Sequence, residues 1–466
     1  MLTADAPRRA PVCLDPFFAE LRGRNFARLD RHGHAYLDYA GSALYAETQL
    51  RASYAALSDD VFGNPHSENA PSRTSTDALD DARSLLLAHL DADADEYVLC
   101  FTPNASGAMR LVAESYPFGH GSTYVLTADN HNSINGVREF ARRAGARIVH
   151  VPLDADLRLR DATDQLARAR GSAAAPALFA FPAQSNFSGV QHPLSLVADA
   201  QRMGYDVLLD AAAFVPSHAL SLRVVKPDFV ALSFYKIFGY PTGVGALVAR
   251  RDALARLQRP WFAGGTLLFA SVQNEMHVLK SSAEAFEDGT PHFLAGPALR
   301  EGLAFVRTVG TERLSSHVAS LTSLLLAELS SLTHRDGAPA VRLYGPADTR
   351  DRGGIISFNV LDCRGVIVPF DAVERRAREH GVWLRSGCFC NPGAAEAAFG
   401  FDAATTAHCV AEAHRGSRGF TPERFASCMT ARQPGGALGA VRASLGMANN
   451  DRDVRRAVAV VASFTE

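Results

Sequence analysis

The sequence predicts an α/β protein, a mostly parallel seven-stranded sheet covered by helices on both faces and followed by a smaller α+β unit. Three observations carry that prediction. Between residues 97 and 250, seven short apolar runs alternate with longer amphipathic stretches. The runs are apolar at successive positions rather than alternate ones, the pattern of strands buried on both faces. From residue 297 the texture changes to long stretches rich in Leu, Ala and Glu, and then to short mixed segments.

In chain order the strands are expected over 97–101, 123–126, 147–151, 177–181, 207–209, 229–233 and 245–249. Helices are expected between them over 105–115, 134–144, 161–169 and 194–203. Residues 297–332 read as one or two long helices, 354–360 as a strand, 370–380 as a helix and 382–385 as a further strand. The Gly/Pro/Ser/Thr-rich stretches 337–346 and 415–436 read as surface loops. The expected division is a large domain over 36–295 and a small one formed by 1–35 with 296–466.

With 47% hydrophobic and 21% charged residues, the composition is that of a soluble globular protein. A net charge of −2 leaves no electrostatic footprint for nucleic acid or an anionic membrane. Arg, Asp or Pro interrupts every apolar stretch before it reaches membrane-spanning length. The first residues lack the apolar core of a signal peptide, so a cytoplasmic location is expected. Seven cysteines, an odd and scattered set apart from Cys388 and Cys390, do not suggest a disulfide framework.

The chemistry is expected at the strand ends, because sites in such sheets lie beyond the carboxyl ends of the strands. Asp210, Lys236 and the loop 102–107 all fall there. Only three of the 47 basic residues are lysines, so arginine supplies the surface charge and a lysine kept between two apolar runs needs a chemical reason. Arginine stays protonated, whereas a buried lysine shifts its pKa and forms Schiff bases. Asp210 closes another apolar run upstream. A Schiff-base lysine and an acidic partner for a pyridinium nitrogen are what pyridoxal phosphate (PLP) requires. The plain alternative is a snorkelling lysine and a turn aspartate.

Around this pair, Phe101-Thr-Pro-Asn-Ala105-Ser106-Gly107 closes a strand and opens a helix. It offers backbone N–H groups and a hydroxyl to a phosphate, and Ser233 offers a second hydroxyl; alone, such a loop is an ordinary N-cap. His131 follows the second strand, where a ring can cover a cofactor and act as acid or base. Asn186, in Gln184-Ser-Asn186-Phe-Ser-Gly189, offers an amide in the same register. Arg442 is suited to a bidentate clamp on a carboxylate. Leu384-Arg385-Ser-Gly-Cys388-Phe-Cys390-Asn-Pro-Gly393 is a Gly/Pro-flanked loop, expected to be mobile and accessible. It has no second cysteine pair at matching spacing, so no metal is expected. A reactive thiol needs access and nearby positive charge, which Arg385 supplies. Spacing does not choose between the two cysteines.

With these residues in place, the chain resembles the class V aminotransferase-like PLP enzymes, and within them the cysteine desulfurases and the PLP domain of molybdenum cofactor sulfurases. The resemblance is carried by Tyr36-Leu-Asp-Tyr-Ala-Gly, Gly63-Asn-Pro-His-Ser67, Ser233-Phe-Tyr-Lys-Ile-Phe-Gly239, Gly264-Gly-Thr266, Phe286-Glu-Asp-Gly-Thr290, Arg385-Ser-Gly-Cys-Phe-Cys-Asn-Pro-Gly393 and Val-Arg442-Ala-Ser-Leu-Gly. It implies the PLP-dependent aminotransferase type I fold, a homodimer, and sulfur transfer from L-cysteine or a related amino acid. It implies that Lys236 holds PLP, Asp210 pairs with the ring nitrogen and His131 stacks on the ring. Ala105, Ser106 and Ser233 would bind the phosphate, and Thr266 would reach the phosphate of the neighbouring subunit. Asn186 would face the cofactor phenolate and the substrate, Arg442 would hold the substrate carboxylate with Arg385 beside it, and Cys390 would accept the sulfur.

Two positions depart from most desulfurases. Tyr235 replaces a histidine, as in the cofactor sulfurases, and Ala213 replaces a glutamine that contacts the cofactor. Only 24 residues follow Arg442, so a separate sulfur acceptor, protein or small molecule, is expected. On this reading Lys236 removes the Cα proton, the Cys390 thiolate attacks the substrate sulfur, and alanine leaves. A selenocysteine or cystine lyase, an epimerase or an aminotransferase would need no thiol nucleophile. A non-catalytic sulfur-relay protein would not need the intact Lys236–Asp210 pair.

Overall fold

The computed structural model describes residues 14–415 and 419–465. All seven expected strands form and join one sheet: β1 (Tyr97–Thr102), β2 (Thr123–Thr127), β3 (Arg147–Val151), β4 (Ala177–Pro182), β5 (Asp206–Asp210), β6 (Phe229–Ser233) and β7 (Gly245–Arg250). Their order is β1-β7-β6-β5-β4-β2-β3. Only β7 runs against its neighbours; β2 to β6 pair in parallel. Successive residues of one strand enter different cores. Phe179, Phe181 and Val230 pack on one face, and Leu178, Ala180 and Phe229 on the other. Burying each such phenylalanine contributes roughly 1.5–3 kcal/mol, and a one-residue slip would exchange the two faces.

A third apolar cluster surrounds a four-stranded antiparallel sheet: β8 (Val341–Tyr344), β9 (Ile355–Val360), β10 (Arg385–Gly387) and β11 (Ala440–Ser444), in the order β8-β9-β11-β10. It draws in Phe18, Phe26 and Leu37 from the start of the chain and the inner faces of helices Thr311–Ser330 and Asp451–Ala462. The stretch 297–332 is two helices, Gly296–Val309 and Thr311–Ser330. The helix expected over 134–144 is two short ones, Asn132–Asn135 and Val137–Arg143, meeting at Gly136.

Two expectations are corrected. The stretch 337–346 contains β8, which is ordered by pairing with β9. The stretch 415–436 contains the helix Pro422–Arg432. That helix is joined to Ala403–Ala413 by a disulfide between Cys409 and Cys428. Two cysteines 19 residues apart look unrelated in sequence and become neighbours only when the two helices pack antiparallel.

Candidate active site

The carboxyl ends of β1, β2, β4, β5 and β6 open on one cavity of about 140 Å³, whose wall includes Ala105, Ser106, His131, Asn186, Asp210, Ser233 and Lys236. Lys236 lies on the single helical turn Phe234–Phe238 that follows β6. Burial lowers its pKa, opposed by Asp210 and reinforced by Arg442 and Arg385, so the neutral amine is reached more easily than on the surface. Asp210 is the last residue of β5 and is buried. Its Oδ1 accepts the Ala212 N–H at 3.0 Å, and no donor among the described residues reaches Oδ2.

At the other end of the cavity, Asn104 caps the helix Ala105–Ser115 by accepting the Gly107 N–H at 3.0 Å. The Ala105 N–H donates to Ser233 Oγ at 2.9 Å, which leaves the serine proton for another acceptor. This packing needs a glycine in β7, because a Cβ on Gly245 would lie 2.5 Å from Asn104 Cα. Ser106 Oγ is 2.6 Å from Ser133 Oγ, which is 3.0 Å from His131 Nδ1. The Ser133 N–H donates to the same Nδ1 at 3.1 Å. Nδ1 is therefore an acceptor, and the neutral ring carries its proton on Nε2. Burial lowers the His131 pKa, opposed by Asp210, which favours that neutral form.

The thiol loop is accessible, but it is tied down. The Asn391 N–H donates to the Cys388 carbonyl at 2.9 Å, closing a turn whose central residues Phe389 and Cys390 have φ of 54° and 56°. This left-handed conformation costs a non-glycine residue about 1–2 kcal/mol, so tertiary contacts must hold it. Phe389 packs on Phe187, with Arg442 4.6 Å above its ring. Asn186 Nδ2 donates to the Phe389 carbonyl at 2.7 Å, and the Asn132 N–H donates to the Cys390 carbonyl at 2.7 Å. Asn391 Nδ2 donates to the Asp129 carbonyl and to Asn186 Oδ1, both at 2.9 Å. The Asn186 amide, expected to face the cofactor, is engaged with this loop.

The turn separates the two thiols. Cys388 is half-buried against an apolar cluster, its Sγ 3.7 Å from the Leu438 carbonyl. Burial, Glu396 and Cys390 raise its pKa. Cys390 is exposed. Arg385 and Arg442 face each other across the β10–β11 ladder, and both are paired with Asp38. Thr266 is not brought to the cavity of its own chain. It is buried, its Oγ1 donates to the Ala263 carbonyl at 2.7 Å, and it sits at the base of the hairpin Leu267–Ser271/Met276–Leu279. No helix among the described residues is long and apolar enough to cross a membrane.

Sequence reasoning missed Asp38, Ser133 and Asn391. Asn391 had a legible signal, since Asn before Pro-Gly reads as a cap with proline at the first helical position. Ser133 had a weak one, two residues after His131. Asp38 had only its place in the segment Tyr36-Leu-Asp-Tyr-Ala-Gly, which says nothing of its partner Arg385, 347 residues away.

Residues 35–457 match the family model described as Aminotransferase class-V. The chain belongs to the class V aminotransferase family. Molybdenum cofactor sulfurase from Bos taurus is 38% identical over 399 residues, 81% of this chain and 45% of that protein. The Arabidopsis thaliana protein of the same name is 34% identical over 415 residues, covering 80% and 50%. The chain thus spans about half the length of these relatives. A cysteine desulfurase from Thermococcus onnurineus NA1 shares the fold with a TM-score of 0.77 at 21% identity, over 96% of this chain and 98% of that one. A cysteine desulfurase from Escherichia coli matches with a TM-score of 0.73 at 21% identity, over 96% and 98%.

This class V chain is a PLP-dependent enzyme, and its residues fit the cofactor. The cavity joins a lysine shifted toward the neutral amine to a buried carboxylate with one oxygen lacking a donor. Its far end carries hydroxyls and a helix N-terminus, the donor set a phosphate needs.

Proposed function

We propose that this chain is a cysteine desulfurase, which takes sulfur from L-cysteine onto Cys390 as a persulfide, releases L-alanine and passes the sulfur to a separate acceptor. The observation that carries this reading is the exposed Cys390 thiol on a loop pinned by Asn186 and Asn132, beside Phe389, over whose ring Arg442 lies. Lys236 would hold PLP, Asp210 its ring nitrogen, and Ala105, Ser106 and Ser233 its phosphate; bound there, PLP supplies a sink for the electron pair left when Cα loses its proton.

The protein's own residues do the rest. Arg442 binds the substrate carboxylate with a guanidinium already oriented by the Asn186 carbonyl at 2.9 Å. The neutral Lys236 amine takes the Cα proton and returns it. His131 holds its proton on Nε2, available to the substrate. The Cys390 thiolate attacks the substrate sulfur, so that an S–S bond forms and the Cβ–S bond breaks. The electron pair of that bond stays with carbon, which is protonated to give alanine. The names of the relatives make a molybdenum-cofactor acceptor the first to test.

We also propose that the enzyme is a homodimer. The hairpin beyond Thr266 exposes Leu268, Phe269, Val272, Met276 and Val278 together, an apolar patch of the kind that marks a contact surface. Product analysis tests the reaction. L-Cysteine with a reducing thiol should yield alanine and sulfide in equal amounts. Pyruvate and ammonia in place of alanine would move the enzyme to the C–S lyases.

A further inference from the structure

Arg385 and Arg442 are cross-strand partners, and like charges directly opposed in an antiparallel pair destabilise it. One carboxylate lies between them. Asp38 accepts from Arg385 Nε at 3.0 Å and Nη2 at 2.6 Å, and from Arg442 Nη2 at 3.1 Å. The turn after Asp38 is shaped for this pairing, because a Cβ on Gly41 would lie 2.6 Å from both Arg385 Nη2 and Asp38 Oδ2. Arg442 is almost wholly buried, its side chain 3% exposed, whereas Arg385 is half exposed. Arg442 donates through Nη1 to the Asn186 carbonyl and through Nη2 to Asp38. Its buried Nε has no acceptor among the described residues.

Two guanidinium groups and one carboxylate leave a single positive charge. We infer that Asp38 fixes the net charge at the carboxylate-binding end of the site at one positive unit, and so makes the site select amino acids with one carboxylate over those with a second acidic group. Asp38 is a positioning residue, since it acts through Arg442 and Arg385. The inference rests on Arg442 as the carboxylate clamp. Removing the Asp38 charge would leave two cations for one substrate carboxylate, and a ligand with a second anionic group would gain.

Cys390 reports this charge without turnover. It follows Phe389, whose ring lies 4.6 Å below the Arg442 guanidinium, and Arg385 is the cross-strand partner of Arg442. The purified enzyme would be alkylated with anionic iodoacetate and with neutral iodoacetamide at one pH and ionic strength, following the Cys390 peptide by mass. The ratio of the two rates cancels the thiol's own reactivity and reads the local potential. Asp38→Asn should raise the ratio about tenfold, the order expected for one added charge in a partly solvated site. Asp38→Glu should keep it, Arg385→Gln should lower it, and Asp38→Asn with Arg385→Gln should restore it. Asp38→Asn should also tighten inhibition by L-aspartate relative to L-alanine.

An unchanged ratio in folded Asp38→Asn overturns the inference. If that variant does not fold, a double variant whose ratio stays at the Arg385→Gln value overturns it equally. Alkylation requires no desulfuration, so failure of the proposed reaction would leave these ratios untouched. A normal persulfide yield with unmoved ratios would remove only the role of Asp38.

Discussion

At the scale of single residues, the three lysines differ in what surrounds them. Lys226 and Lys280 pair with Glu96 and Glu284 at 2.8 and 2.7 Å on the surface. Lys236 is held toward the neutral amine by burial. Borohydride reduction of the loaded enzyme should therefore fix the cofactor on Lys236, and an adduct on either other lysine would contradict that assignment. Asp210→Ala should weaken PLP binding by about 10–100-fold, the loss expected for a buried hydrogen bond to a charged group, as read by absorbance titration. The Lys236–Asp210 pair was legible in the sequence because each residue interrupts an apolar run. Asp38 was not, because the two arginines it serves are brought to it only by the folding of the second sheet. Spacing left the choice between Cys388 and Cys390 open, and only the family resemblance pointed to Cys390. In the structure two left-handed residues turn one thiol inward and the other outward.

At the scale of elements, the seven strands were legible because a sheet covered on both faces needs uninterrupted apolar runs. The helix Pro422–Arg432 was not, because its mean composition is polar and its order comes from packing on its disulfide partner helix. The thiol loop had been expected to be mobile, since Gly and Pro flank it. Its order comes from Asn186, Asn132 and Asn391, which belong to three separate segments. The helix Thr311–Ser330 carries a pH-sensitive contact of its own. His317 stacks on Phe18 with ring centroids 3.8 Å apart, and its Nε2–H donates to the Asn449 carbonyl at 2.9 Å. Burial lowers its pKa from 6.5 to about 4. The unfolded chain takes up this proton near pH 6.5 and the folded chain only near pH 4. Stability from this group is therefore full above pH 6.5 and falls as the pH drops toward 4, by on the order of 2–3 kcal/mol. Urea unfolding at pH 7 and pH 4.5 should show a smaller drop for His317→Gln, whose amide can still donate. An equal drop in both proteins would remove His317 from the account.

At the scale of the whole molecule, Thr266 is the residue whose proposed role its own chain does not accommodate, since it lies outside the cavity that holds Lys236. A site completed by a neighbouring subunit explains this. Mixing inactive Lys236→Ala subunits with inactive Thr266→Ala subunits should then restore part of the activity, because some hybrid sites carry both native residues. A fully active monomer at assay concentration would exclude the shared site. The central claim is that Cys390 takes the sulfur, and the most direct measurement is the mass of its peptide after a single turnover with L-cysteine. One added sulfur on Cys390 is expected in the native enzyme. Cys390→Ser should show none while still binding PLP, and Cys388→Ser should behave nearly as the native enzyme does. Release of alanine and sulfide by Cys390→Ser at the native rate would contradict the claim.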